Sequence, residues 1–159
     1  MKFTLSSNAL SSRLQTLAKV INSKNSLPIL ESFLFQVHNG QLTLTASDSD
    51  NVMQTSLALD QFDTDGDFAI PSHTVLDAVK ELPEQPLTFE VNMSTYEVTV
   101  GYQNGQYQFT AQNADEYPHT APIQNDVHAI TIGAVALNEN ISRTLFATDN
   151  NEFRHVMNG

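Results

Sequence analysis

Cysteine is absent from this 159-residue chain, and cations are scarce: seven Lys and Arg stand against eighteen Asp and Glu, a formal net charge of −11. Without cysteine there are no disulfides and no thiolate metal sites, and the redox compartment stays open. Taken as a sum, the excess of carboxylates argues against nucleic-acid binding, because DNA is itself a polyanion. No apolar run approaches the ~20 residues of a membrane span. Strand-forming residues begin at Phe3 with no basic region, apolar region or cleavage site before them, so the expectation is a soluble cytoplasmic protein. Catalytic signatures are missing as well: there is no G-x-S-x-G elbow, phosphate loop or dinucleotide fingerprint. Histidines 38, 73, 119, 128 and 155 show no HxxxH or HExxH spacing. Asp63-x-Asp65-x-Asp67 has its glycine too early for a calcium loop, and Thr74 stands where the bidentate Glu belongs. A surface turn is expected there, and the same holds for Asp48 and Asp50. No active site, metal or cofactor is expected.

What the chain does have is 40% apolar residues, enough to bury a sizeable core. A strand at Lys2–Ser6 leads into an amphipathic helix from Asn8 to Ile21, in which Leu10, Leu14, Leu17 and Ile21 form one apolar stripe. After a polar elbow and Leu27-Pro28-Ile29-Leu30, Phe33–Val37 and Gln41–Thr45 alternate around Asn39-Gly40, a strong hairpin signal. Val52–Leu59 is a third strand and Phe68–Ile70 a short one. Pro71-Ser72 opens a second helix with Ser72 as its expected N-cap; Val75, Leu76, Val79 and Leu82 form its apolar face, and Pro83 stops it. Leu87–Val91, Tyr96–Val100 and Tyr107–Ala111 are three more strands, with Asn104-Gly105 as a second hairpin turn.

Each half of this pattern is a helix followed by a three-stranded meander, which implies an α+β fold, an antiparallel sheet with both helices on one face. From Gln112 to His128 the periodicity lapses and Pro118 and Pro122 appear, so this stretch reads as a linker. The opening unit then starts again: Phe3-Thr4-Leu5 corresponds to Ile130-Thr131-Ile132, Ala9-Leu10 to Ala136-Leu137 and Leu14 to Ile141, at one constant offset. That recurrence argues for tandem copies of one fold. The expected division is a complete domain over 1–118, a linker over 119–128 and the truncated start of a second copy over 129–159.

Charge is distributed unevenly. Arg13, Lys19, Lys80 and Arg143 fall in the expected helices and Lys24 directly follows one, whereas only Asp77, Glu81 and Glu139 of the carboxylates do. An acidic sheet surface and a cation-bearing helix surface would result. Tyr96, Tyr102, Tyr107 and Phe109 suit a stacking platform for single strands, the rim of a core or a subunit interface.

MKFTL at the start, SLPIL at 26–30, the NG hairpin, IPSHTVLDAVKELP at 70–83 and ADEYP at 114–118 together resemble the bacterial DNA polymerase III beta subunit family, the sliding clamps. FRHVMNG at 153–159 resembles the first strand of that family's second domain, so the likeness runs the length of the chain. The resemblance implies a non-catalytic processivity factor of replication: three domains of one DNA-clamp-like fold, each of antiparallel sheets with two helices on one face and internally duplicated, two chains joined head to tail, and a ring around double-stranded DNA. Partners would be the DNA, the homodimer mate, and polymerase and clamp-loader subunits that bind through short peptides. By position, Lys24, His73, Asn151, His155 and Val156 match DNA-facing sites, and Lys80 joins them as a helix-borne cation. Thr74, Ala78, Tyr107 and Phe109 match the edge that pairs with another subunit. Asn104 and Gln106 stand where well-known relatives carry basic residues on that edge. Arg154 and Met157 match the margin of the peptide pocket. With one domain and a fraction, the chain is expected to be the N-terminal part of such a clamp. The rival expectation is an acidic module that pairs an exposed edge strand with a protein or peptide.

Overall fold

The computed structural model describes residues 1–21, 27–48, 50–118 and 130–148. They fall in two units, Met1–Thr120 and Ala121–Gly159, each taken by itself below.

In the first unit β1 (Lys2–Ser6) leads directly into α1 (Ser7–Leu17). The Ser6 hydroxyl accepts from the Ala9 N–H at 3.2 Å and so caps the helix. Leu10, Leu14 and Leu17 are buried as expected, but the helix stops at Leu17 and Ile21 lies half-buried beyond it. A short 3-10 turn at Pro28–Glu31 precedes a meander of β2 (Ser32–His38), β3 (Gln41–Ser47) and β4 (Val52–Ala58). Asn39 (φ 51°) and Gly40 (φ 78°) make the β2–β3 turn, and a Cβ on Gly40 would come within 2.9 Å of the Phe62 ring. Next come β5 (Gln61–Phe62), β6 (Gly66–Pro71) and α2 (Ser72–Lys80). Ser72 is the first helical residue and not the cap: Pro71 holds that position and no side chain bonds the exposed amides. The second meander is β7 (Pro86–Val91), β8 (Glu97–Tyr102) and β9 (Gly105–Thr110), closed by β10 (Gln112–Asn113).

Alternation alone implies an antiparallel sheet and the resemblance antiparallel sheets; the structure has two five-stranded ones, ordered β5-β1-β7-β8-β9 and β10-β6-β2-β3-β4. The orders are equivalent under exchange of the two halves. The strand before each helix joins the meander of the other half, which interlocks the halves around one core. Four phenylalanines sit at that crossing: Phe3 stacks on Phe89 at 5.0 Å and Phe35 on Phe68 at 5.2 Å, with tilted contacts between the pairs. α1 and α2 pack against each other and bury Leu10, Leu14, Leu17, Val75 and Val79 in the same core.

The front of the expected linker belongs to the first unit. β10 pairs with β6, Ala111 and Ala114 are buried, and Tyr117 packs with Ile29, Leu30 and Ala69 in a second small cluster. The SLPIL and ADEYP segments therefore meet there, which neither periodicity nor local spacing reveals. In the second unit α3 (Ala134–Thr144) stands at the same offset from α1 at both ends. Its Val135, Leu137 and Ile141 are exposed.

Candidate nucleic-acid face and subunit edge

α1 contains no Asp or Glu. Because its leucine stripe faces the core, Asn8, Ser12, Gln15 and Thr16 are left on the outside, with exposed Lys19 just after the helix. These residues and Ser11 line an open polar depression. Arg13 turns toward the other sheet, where it lines a cavity of about 220 Å³ with Met53, Gln54 and Thr55 of β4. On α2, His73, Asp77 and Lys80 are spaced i, i+4 and i+7 and are all exposed, so they share one outer face. Lys80 occupies the last turn, where a cation complements the helix dipole. The His73 ring lies 3.3 Å from the Thr74 hydroxyl.

The ion pairs sort these cations from the rest. Lys2, on the sheet, meets Glu90 at 2.7 Å, and Arg143 of α3 approaches Glu139 at 3.9 Å. Arg13, Lys19 and Lys80 have no carboxylate partner among the described residues. The acidic side chains of the first unit stand mainly on strands and turns, and several are used structurally. Asp63 accepts the Lys2 N–H at 2.6 Å, Asp65 the Asn39 N–H at 3.1 Å and Asp67 the Gln36 side-chain amide at 3.1 Å. His38 adds a 2.7 Å contact to Asp67. Asp48 accepts the Asn51 N–H at 2.7 Å, and that bond is the main reason its carboxyl lies below the usual range. The Lys2 N–H does the same for Asp63.

The expected subunit residues lie on two elements. Thr74 and Ala78 are one turn apart on α2; Thr74 is half-buried, and Ala78, at 7% exposed, is already covered within its own unit. Tyr107 and Phe109 lie on β9, which ends its sheet and pairs with β8 alone among the described residues. They stand opposite Val100 and Val98, on the core-facing side, yet Tyr107 remains 37% exposed because no strand lies beyond it. Tyr102, grouped by the sequence with Tyr96, Tyr107 and Phe109, joins this edge. Its ring stacks on Tyr107 at 5.1 Å across the hairpin, and loss of hydration followed by Tyr102 itself raises the Tyr107 hydroxyl pKa above its usual value. The available signal was Gly105, opposite Tyr102, where a Cβ would come within 2.8 Å of the Tyr102 hydroxyl. Of the remaining expected site residues, Lys24, Asn151, Arg154, His155, Val156 and Met157 lie outside the described residues.

Residues 1–121 match the family model described as DNA polymerase III beta subunit, N-terminal domain. Among curated proteins, the chain is 32% identical to the beta sliding clamp of Synechococcus elongatus and 26% identical to that of Bacillus subtilis. It is matched along all of its own length but spans only 42% of the former and 43% of the latter. The crystal structure of the DNA polymerase III subunit beta from Pseudomonas aeruginosa superposes with a TM-score of 0.87 at 26% identity. All of this chain and 42% of that one are covered. No helix among the described residues is long and apolar enough to cross a membrane.

Proposed function

Because this chain belongs to the DNA polymerase III beta subunit family through its N-terminal domain, we propose that it forms part of a sliding clamp. The clamp would be a ring that encircles duplex DNA, tethers the replicative polymerase and catalyses nothing itself. The observation that carries this reading is the sorting of charge. In a chain of net charge −11, the exposed cations without a carboxylate partner among the described residues stand on, or just after, the two packed helices.

Encirclement makes retention topological. Contacts can then be few, directed to phosphates and blind to base sequence. A protein that neutralises few phosphates also shows a shallow salt dependence, about −0.9 in slope per contact. The proposed DNA-facing positions are Lys24, His73 and Lys80 in the first domain and Asn151, His155 and Val156 in the second. The proposed division is domain 1–118, linker 119–128 and the start of a second clamp domain at 129–159; the matched offset of α1 and α3 supports it. Thr74, Ala78, Tyr107 and Phe109 form the proposed subunit edge of a head-to-tail homodimer. Tyr107 is the exposed residue of the four, Thr74 and Phe109 are half-buried, and Ala78 is already covered. Arg154 and Met157 border the proposed pocket for short peptides of the polymerase and the clamp loader.

The test is charge reversal. Lys24→Glu with Lys80→Glu, in the complete protein on a short linear duplex where no topology holds the ring, is expected to weaken binding at low salt by about tenfold while the far-UV spectrum stays unchanged. Undiminished binding would overturn the assignment of the helix face. The open, uncharged β9 edge favours a second reading, an acidic module that adds a peptide strand there. Such a module would not bind the duplex.

A further inference from the structure

Gln85 lies in the connection between α2 and β7, and at 6% exposed it is buried. A buried amide needs its hydrogen bonds met from within the fold, and those of Gln85 join the start of α1 to the turn between β8 and β9. Its backbone is held from the helix. Ser7 N–H donates to the Gln85 carbonyl at 2.9 Å, and Gln85 N–H donates to the Ser7 hydroxyl at 3.0 Å. The same hydroxyl donates to the Pro83 carbonyl at 2.8 Å. From that fixed origin the side chain reaches the turn, where Oε1 accepts the Gln103 N–H at 2.8 Å. Nε2 donates to the Pro83 carbonyl at 3.4 Å.

Gln103 directly follows Tyr102, which ends the β8–β9 ladder opposite Gly105. The Tyr102 ring is stacked on that of Tyr107, the exposed aromatic of the β9 edge. No strand lies beyond Tyr107, so its ring is oriented by what supports it from behind. That support is Tyr102, whose backbone is set by the adjoining bond from Gln103 to Gln85. We propose that Gln85 is a positioning residue for subunit assembly: it fixes the turn, and with it the Tyr102–Tyr107 pair, in the orientation that the partner subunit receives. That role rests on β9 being the head-to-tail subunit edge, and it leaves the edge free for the contact. Being buried, Gln85 offers the partner little surface of its own and acts through Tyr102. The fold itself depends on the amide much less. Without it, the exposed Gln103 amide turns to water and the Pro83 carbonyl keeps the Ser7 hydroxyl, so no buried backbone group is orphaned.

The dimer dissociation constant of the complete protein, measured by sedimentation across a dilution series, tests this. Gln85→Met, of similar length but without the amide, is expected to raise it about tenfold with an unchanged far-UV spectrum. Gln103→Pro removes the same bond from the solvent side, at a turn position where φ is not positive and proline fits. It is expected to give the same rise, and it carries the test where Gln85→Met fails to fold. The Tyr107→Ala background separates positioning from general support: with the ring gone, either variant is expected to weaken the dimer no further. A dimer indifferent to either variant, or a loss as large in the Tyr107→Ala background as in the parent, would overturn the proposal alone. A complete protein that forms no dimer would overturn the reading of the subunit edge, and the proposal with it.

Discussion

Tyr117 shows what a single residue contributes far from any proposed binding face. At 2% exposed, it closes the cluster of Ile29, Leu30 and Ala69, and burial pushes its hydroxyl up to about 12, with the Ser47 backbone acting weakly the other way. An unfolded tyrosine titrates near 10. Above that pH the unfolded chain releases a proton that the folded chain still holds, so stability falls as pH rises toward 12 and is unaffected below 10. Urea midpoints at pH 8 and pH 11 check this: the parent is expected to lose more stability across that interval than Tyr117→Phe, and equal losses would contradict it. Residues of this kind were only partly legible in the sequence. Leu10, Leu14, Leu17, Val75 and Val79 declare themselves through helical spacing, and all are buried. Tyr117 and the Phe3, Phe35, Phe68 and Phe89 quartet give no local signal, because their contacts join strands far apart in the chain.

The elements were more legible than their ends. Both helices of the first unit and both meanders follow from periodicity, whereas the two-residue strands β5 and β10 are too short to show one. Ser72 looked like a cap because Ser before an apolar helix usually is one; here the chain leaves β6 so abruptly that Pro71 takes that position. The α1 and α3 comparison sets up a prediction. The two helices have the same length, but α1 buries its stripe and α3 leaves Val135, Leu137 and Ile141 exposed. An eleven-residue helix without packing is marginal in water. Amide exchange on this chain is therefore expected to be fast across Ala134–Thr144 and slow across β2 and β3. Equal protection in the two regions would contradict that account.

At the scale of the molecule, the first unit is built from two equivalent halves, and in the second unit α3 keeps a constant offset from α1, although 130–133 form no strand to match β1. Each half lends a strand to the other half's sheet, and each sheet is left with a long open edge, β9 or β4. Two different open edges on one unit are what heterologous assembly requires, and such assembly closes into a ring only if the rotation per unit allows it. One constant offset in the sequence anticipated the bounds of α3 from those of α1. Alternation could not divide the strands between two sheets, because it tells which face a residue takes and says nothing about which strand lies beside it. The proposed nucleic-acid face was legible in the same limited sense: spacing placed the cations on helices, and only the packing of α1 against α2 puts Lys19 and Lys80 on a helix layer common to both.

The central claim is topological retention, and it is tested most directly by linearising the DNA. The complete protein would be loaded on a nicked circle, and the bound fraction measured by gel filtration before and after a single double-strand cut. The account predicts stable retention on the circle and loss through the free ends after the cut, at unchanged salt. Equal binding before and after the cut would contradict it, because a protein held by surface contacts alone is indifferent to DNA ends.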